Sequence, residues 1–138
     1  MTDSFLMELS GIQPSQLYIS SRKLKNVLED FASKPSLMEP IPTKKLGDRV
    51  VYVDGHTRAL AALLHRFPRV PVYWEEEALD WEAYEICVRW CLAEEIYTIA
   101  DLTNRVVSHP VYKKLWYERC ANMQRELEAE RRHDESKV

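Results

Sequence analysis

The stretch VVYVDGHTRALAAL, residues 50–63, constrains this chain more than any other. A β-branched run stops at Asp54-Gly55, and an Ala/Leu run begins two residues later. β-Branched and aromatic residues favour a pleated strand, whereas Ala and Leu favour helix. Gly55 is one of only three glycines in 138 residues. A glycine at such a junction permits positive φ or lets another group approach the backbone closely. The helix that follows presents its first free N–H groups, and the positive end of its dipole, just beyond the strand's carboxyl end. That arrangement holds anions, phosphate above all. Thr57 adds a hydroxyl and Arg58 a planar cationic fork suited to phosphate oxygens. Asp54 and His56 are groups able to move protons. A plainer account stands beside this one: Asp-Gly is a common turn, and Asp54 or Thr57 can cap the helix with no ligand involved.

Around that junction the pattern predicts alternating strands and helices. Residues 1–13 are ambiguous, and Pro14 biases Gln13 away from helix. Ser20 or Ser21 caps a helix to about Ser33, with Leu24, Val27, Leu28 and Phe31 at helical spacing and Pro35 closing it. EPIPTKKL reads as an extended edge segment, because Pro40 and Pro42 disrupt a central strand. RVVYV is a strand after the turn at Gly47-Asp48. A helix from about Thr57 to Arg66 carries Leu60, Leu63, Leu64 and Phe67 on one face. RVPVYW, 69–74, returns as a strand and completes a βαβ-like unit. Asp80 caps a helix from Trp81 to about Glu95, striped by Tyr84, Cys87, Val88 and Cys91. Thr98 and Asp101 resemble a capping box for a short helix to about Val106. Pro110 opens a last long helix with a stripe of Tyr112, Trp116, Cys120, Met123 and Leu127.

The bulk composition, 46% hydrophobic and 30% charged, is that of a globular domain. A net charge of -3 argues against non-specific nucleic-acid binding, although a local basic face stays compatible with it. No run approaches the ~20 apolar residues of a membrane span. MTDSFLMELSGIQPS lacks the basic start and apolar core of a secretory leader. Three cysteines, Cys87, Cys91 and Cys120, in a chain of this length point to a reduced, cytoplasmic protein.

Other constellations are weaker. Cys87 and Cys91 lack a second ligand pair at metal-binding spacing, so core packing is the simpler role. His65 and His109 read as surface or capping residues, and His133 falls in a charged tail. The aromatic set Trp74, Trp81, Tyr84, Trp90, Tyr97, Trp116 and Tyr117 should for the most part pack the C-terminal helices onto the α/β unit, with a partner surface or a base-stacking platform as its functional alternative.

PSQLYIS followed by PIPTKKLGDRVVYVDGHTRALAALLHRFPRVPVYW, about residues 14–75, resembles the ParB N-terminal-like and sulfiredoxin-like superfamily. The resemblance implies a strand that leads through a glycine turn into a helix gripping nucleotide phosphates. Partition proteins carry further charges where this chain has His56, Thr57 and Leu60, so a CTP switch is not implied. Sulfiredoxins carry a cysteine just after the glycine, where this chain has His56, which argues against sulfinic acid reduction. The DGHxR form is most similar to the free serine kinase branch. That branch implies a nucleotide (ATP or ADP), magnesium, and an acidic base on a separate segment, for which Glu39 is the candidate.

The expected fold is α/β (α+β): a small mixed sheet with the phosphate turn, plus a C-terminal helical extension. The expected divisions are a 1–78 core, a 79–131 helical extension packed on it, and a frayed 132–138 tail. The expected function is a nucleotide- or phosphate-binding domain, with small-molecule phosphoryl transfer as its chemistry. Asp54 and His56 would be catalytic, and Gly55, Thr57 and Arg58 would hold the ligand. The alternatives are a non-catalytic regulatory or DNA-associated module, and a scaffold that has lost its ligand.

Overall fold

The computed structural model describes residues 3–33 and 38–136; Pro35, the expected helix stop, lies outside them. The elements are β1 (Phe5–Glu8), β2 (Ile19–Ser20), α1 (Ser21–Ser33), β3 (Ile41–Leu46), β4 (Arg49–Tyr52), α2 (His56–Leu64), β5 (Arg69–Trp74), α3 (Trp81–Ala93), β6 (Val106–Val107), α4 (His109–Tyr112) and α5 (Glu118–Ser136). Single 3₁₀ turns follow β1 and precede β6, and a π turn, Lys113–Tyr117, joins α4 to α5. The architecture is mixed α/β, as expected. A four-stranded sheet in the order β1-β5-β3-β4 is accompanied by a small parallel pair, β2-β6.

The topology corrects two expectations. The strand parallel to β5 is β3, not β4, so the crossover runs from β3 through the β4 hairpin and α2 to β5. β3 is therefore an interior strand despite Pro42. The reason is local: Pro42 turns its carbonyl toward the Val53 N–H at 3.0 Å, beyond the last paired residue of β4, while Thr43 accepts from Glu75 N–H on the β5 side. The missing N–H of Pro42 thus faces Val53, whose carbonyl accepts from the Tyr84 hydroxyl at 3.2 Å instead. The ambiguous N-terminus supplies β1, an edge strand antiparallel to β5.

Three helical expectations are also corrected. α2 buries Ala59, Leu60, Ala61 and Ala62, while Leu64 is exposed. Small side chains let this helix lie close to its neighbours, α1 foremost. It ends at Leu64, where Arg66 takes a positive φ of 63°. The capping box of Thr98 and Asp101 is present, but the turn stops at Leu102, and Val106–Val107 pairs in parallel with Ile19–Ser20 instead. The last helix is interrupted by the π turn, yet Tyr112, Trp116, Met123 and Leu127 are all buried along it. Asp80 caps α3 as expected, accepting from Ala83 N–H, and Arg131 of α5 binds the same carboxylate at 2.9 Å. α5 continues in helical form to Ser136.

Both halves of the chain share one apolar cluster. Ile12, Ile41, Leu60 and Val72 from the first half pack in the same buried network as Cys91, Ile99, Leu102 and Trp116 from beyond residue 78. Burial of a large apolar side chain contributes about 1.5–3 kcal/mol, so the C-terminal half removes a large share of the core if deleted. A fragment ending at Glu77 should be molten or aggregating. A soluble fragment with a cooperative melt, by circular dichroism, would refute this.

Candidate functional site

The β4–α2 junction is built as its sequence suggests. Val53 hydrogen-bonds across to β3, and Gly55 then adopts φ = 81°, the left-handed region that disfavours side chains. Space forbids one as well: an added Cβ would lie 2.9 Å from Arg58 Nη2 and 3.0 Å from Ile41 Cγ2. Gly55 is the residue before α2, and no side chain caps the helix. The Asp54 carboxylate does not cap it; it accepts from the Gly55 N–H at 2.8 Å and remains exposed. The plainer sequence account, in which Asp54 or Thr57 serves as the cap, is thus not what the structure shows.

This uncapped helix start opens onto a cleft of about 560 Å³. Asp54, Gly55, Thr57 and Arg58 line its floor, so four of the five expected residues meet there. Arg58 is half-buried and anchored by Nη1 to the Glu39 carbonyl at 3.1 Å. Glu39, the expected base, lines a neighbouring cleft on which Arg58 also stands. Opposite α2, α1 contributes Lys23, and the α4–π segment contributes Tyr112, Trp116 and Tyr117. Lys23 hydrogen-bonds the Tyr117 hydroxyl, and its ammonium lies 5.2–5.3 Å from the centroids of the Tyr117 and Tyr112 rings. Sequence reasoning missed Lys23, which reads as one of several solvent-facing cations of α1. Tyr117 was visible only as a member of the aromatic set.

His56 is the expected site residue that does not reach the cleft. Its ring is buried, 3% exposed, beside the Tyr52 ring at 5.1 Å between centroids. Nε2 accepts the Ser15 N–H at 2.9 Å, while the Ser15 hydroxyl donates to the Tyr52 carbonyl at 2.7 Å. Nδ1 and the Tyr52 hydroxyl have no partner among the described residues. Burial pushes the His56 pKa down to about 4, against a smaller upward pull from Asp54. A neutral imidazole is also what the Ser15 bond demands, since a protonated ring has no acceptor nitrogen. His56 therefore latches residues 13–16 onto the start of α2. The same segment is held from the other side, where Gln13 Nε2 donates to the Ile96 carbonyl at 2.8 Å.

The remaining candidates resolve as packing. Cys91 is fully buried, and the Cys87 thiol meets that of Cys120 between α3 and α5, raising the pKa of Cys87 and lowering that of Cys120. Trp90 stacks edge-on to Trp116 and carries Arg119 over its face at 4.2 Å. Phe5 and Trp74 pair at 5.5 Å on the β1–β5 side of the sheet, both partly exposed.

No family model and no curated protein matches the chain. Among solved structures it is similar to the protein Atu1540 from Agrobacterium tumefaciens, at 15% identity over 74% of this chain and 62% of that one, with a TM-score of 0.53. It is also similar to sulfiredoxin from Arabidopsis thaliana, at 14% identity over 63% of this chain and 98% of that one, with a TM-score of 0.49. A C-terminally truncated SbnI from Staphylococcus aureus matches at 17% identity over 54% of this chain and 31% of its own, with a TM-score of 0.48. The likeness to Atu1540 shows a shared fold; the other two are too slight to carry an argument. No helix among the described residues is long and apolar enough to cross a membrane.

Two outcomes follow from this geometry. Gly55→Ala should lose about 1–3 kcal/mol in chemical denaturation, from φ strain and the Ile41 contact together; an unchanged midpoint would mean the junction relaxes freely. His56 should make the fold acid-sensitive. Its folded pKa of about 4 lies below the ordinary 6.5, so its stabilisation is complete above 6.5 and is lost as pH falls toward 4. The loss should be on the order of 3 kcal/mol. His56→Asn should be less stable at pH 7 but show a shallower decline between pH 6.5 and 4, measured by urea titration at stepped pH.

Proposed function

We propose that the cleft at the start of α2 binds the phosphate groups of a nucleotide. The observation that carries this reading is an uncapped helix N-terminus, entered through a left-handed glycine, that opens onto a concave surface bearing two cations. Free N–H groups and the helix dipole favour an anion there. Arg58 would add charge-assisted bonds from one side and Lys23 from the other. The Tyr112 and Tyr117 rings, set edge to face at 5.0 Å, offer an apolar flank to a base or sugar. The resemblance of residues 14–75 to nucleotide-gripping domains supports the same ligand class.

ATP or ADP with magnesium is the proposed ligand. Among the described residues no group of three or more His, Cys, Asp or Glu is gathered to hold a metal ion. Magnesium does not need one, because it binds through one or two carboxylates, waters and the phosphates themselves. Asp54, exposed on the cleft floor, is the carboxylate that would serve. Bound magnesium would neutralise phosphate charge, which is the main requirement of phosphoryl transfer.

The burial of His56 favours a second reading, a binding module without catalysis. The ring is held neutral by a backbone donor and stands off the cleft wall, so it supplies no proton relay at the phosphates. On that reading Asp54 positions the metal and nothing activates an acceptor. Both readings require the same binding step. Calorimetry with ADP and with ATP, each with magnesium, should give saturable binding. Arg58→Ala should weaken it by roughly 1.5–3 kcal/mol, about tenfold to a hundredfold. Equal affinity in a variant with an unchanged melt would end the proposal. Turnover over a panel of hydroxyl compounds, free serine included, then separates kinase from module: abolition by Asp54→Asn marks chemistry, and silence of the wild type marks the module.

A further inference from the structure

Beside the nucleotide cleft, and sharing Tyr117 with it, lies a second concavity of about 740 Å³. Arg22 of α1, His109 of α4, and Lys113 and Lys114 of the π turn line it, with Glu118 as the acidic group on its wall. This gathers cations from three elements in a chain whose net charge is -3. His109 is anchored rather than loose: its Nδ1 is paired with the hydroxyl of the fully buried Ser20 at 2.9 Å. That bond fixes the ring at the lining of the concavity and leaves Nε2 as the nitrogen not engaged by Ser20. The pKa of His109 is lowered, by desolvation first and then by Arg22, Lys23 and Lys113. The like charges thus converge on one ring, with Glu118 the opposing group beside them and Lys114 on the same wall.

We propose that Arg22, His109, Lys113 and Lys114 form a second phosphate subsite, continuous with the first across Tyr117, so that the ligand carries more than one phosphate-class group. The fork of Arg22 suits two oxygens of one phosphate, while the lysines act as point charges and His109 donates through Nε2. An anion seated there cancels the field that depresses His109, and by linkage its binding strengthens as His109 gains a proton. The subsite stands on its own residues; only its continuity with the first cleft rests on the nucleotide reading.

The test uses the full chain with isotope-labelled histidine, at ionic strength held constant with sodium chloride. Inorganic phosphate should move the His109 ring resonances saturably and raise the apparent pKa of His109 by about half a unit or more. The response should persist in Arg58→Ala and vanish in the double variant Arg22→Ala, Lys113→Ala, both of whose positions are exposed. Tripolyphosphate should bind the wild type roughly tenfold more tightly than phosphate, and the double variant should lose that gain. Should Arg58→Ala keep the full gain, the first cleft fails as a phosphate site while the second stands. The proposal is overturned if His109 responds to phosphate no more than to chloride, or if the double variant binds tripolyphosphate as the wild type does. It is overturned also if a single-stranded oligonucleotide binds far more tightly than tripolyphosphate, because the patch would then be a nucleic-acid surface.

Discussion

The candidate site hangs on the absence of one side chain. At Gly55 the backbone leaves a strand that points along the sheet and enters a helix that crosses it, and it does so against Ile41 of the neighbouring strand. The positive φ bends the chain within one residue. The bare Cα lets the first turn of α2 sit over the end of β3. Because the turn is that tight, Arg58 reaches the carbonyls of Glu39 and Pro40, tying the cleft floor to the segment that leads into β3. Any longer connection would carry the helix start away from the sheet, and its N–H groups would face bulk water instead of a concavity walled by α1 and α4.

What keeps the other wall in place is a buried polar network, which is a demanding way to hold a backbone. Gln13 joins the edge of β4 through two backbone bonds and reaches Ile96 with its amide, and Ser15 is clasped by His56 and the Tyr52 carbonyl. Each such bond nets only about 1 kcal/mol when made, yet leaving a buried partner unpaired costs about 1–3 kcal/mol. The network therefore contributes less to total stability than to specificity, because displacing residues 13–15 would leave the Gln13 and Ser15 groups buried without these partners. Gln16, next in line, is thereby fixed at the cleft. The histidine that the motif offers as a catalyst is spent on this architecture, a role that chemistry alone could not distinguish from proton transfer.

That distinction explains which parts of the molecule were legible from residues alone. Gly55 was legible because scarcity and position coincided at the boundary between two periodicities. The Asp80 cap and the Thr98–Asp101 box were legible because both are local. His56 was not, since its orientation is decided by Ser15, 41 residues away. Pro42 misled because the rule against proline in central strands assumes a carbonyl left waiting for its N–H, whereas the Val53 carbonyl opposite it accepts from Tyr84, 31 residues away. Leu64 and the alanines of α2 misled because hydrophobicity ranks residues by size, while close helix packing selects the small ones. Lys23 and Tyr117, separated by 94 residues, left no joint pattern to read.

The charge distribution carries the argument one step further. A chain that is acidic overall repels polyanions at a distance, yet cations of α1 and the π turn stand on the two adjoining clefts. Such a field is short-ranged, screened beyond ~8–10 Å at physiological salt. On the proposed reading it would favour an anion that has already entered over one that is still approaching, and so compact ligands over long ones. The tyrosines add to the effect: the exposed Lys23 ammonium stands against two rings, which hold it at the cleft. On the proposed reading, helix start, arginine and lysine would therefore act on a phosphate at contact distance, and not through the long-range steering by which basic proteins gather nucleic acid.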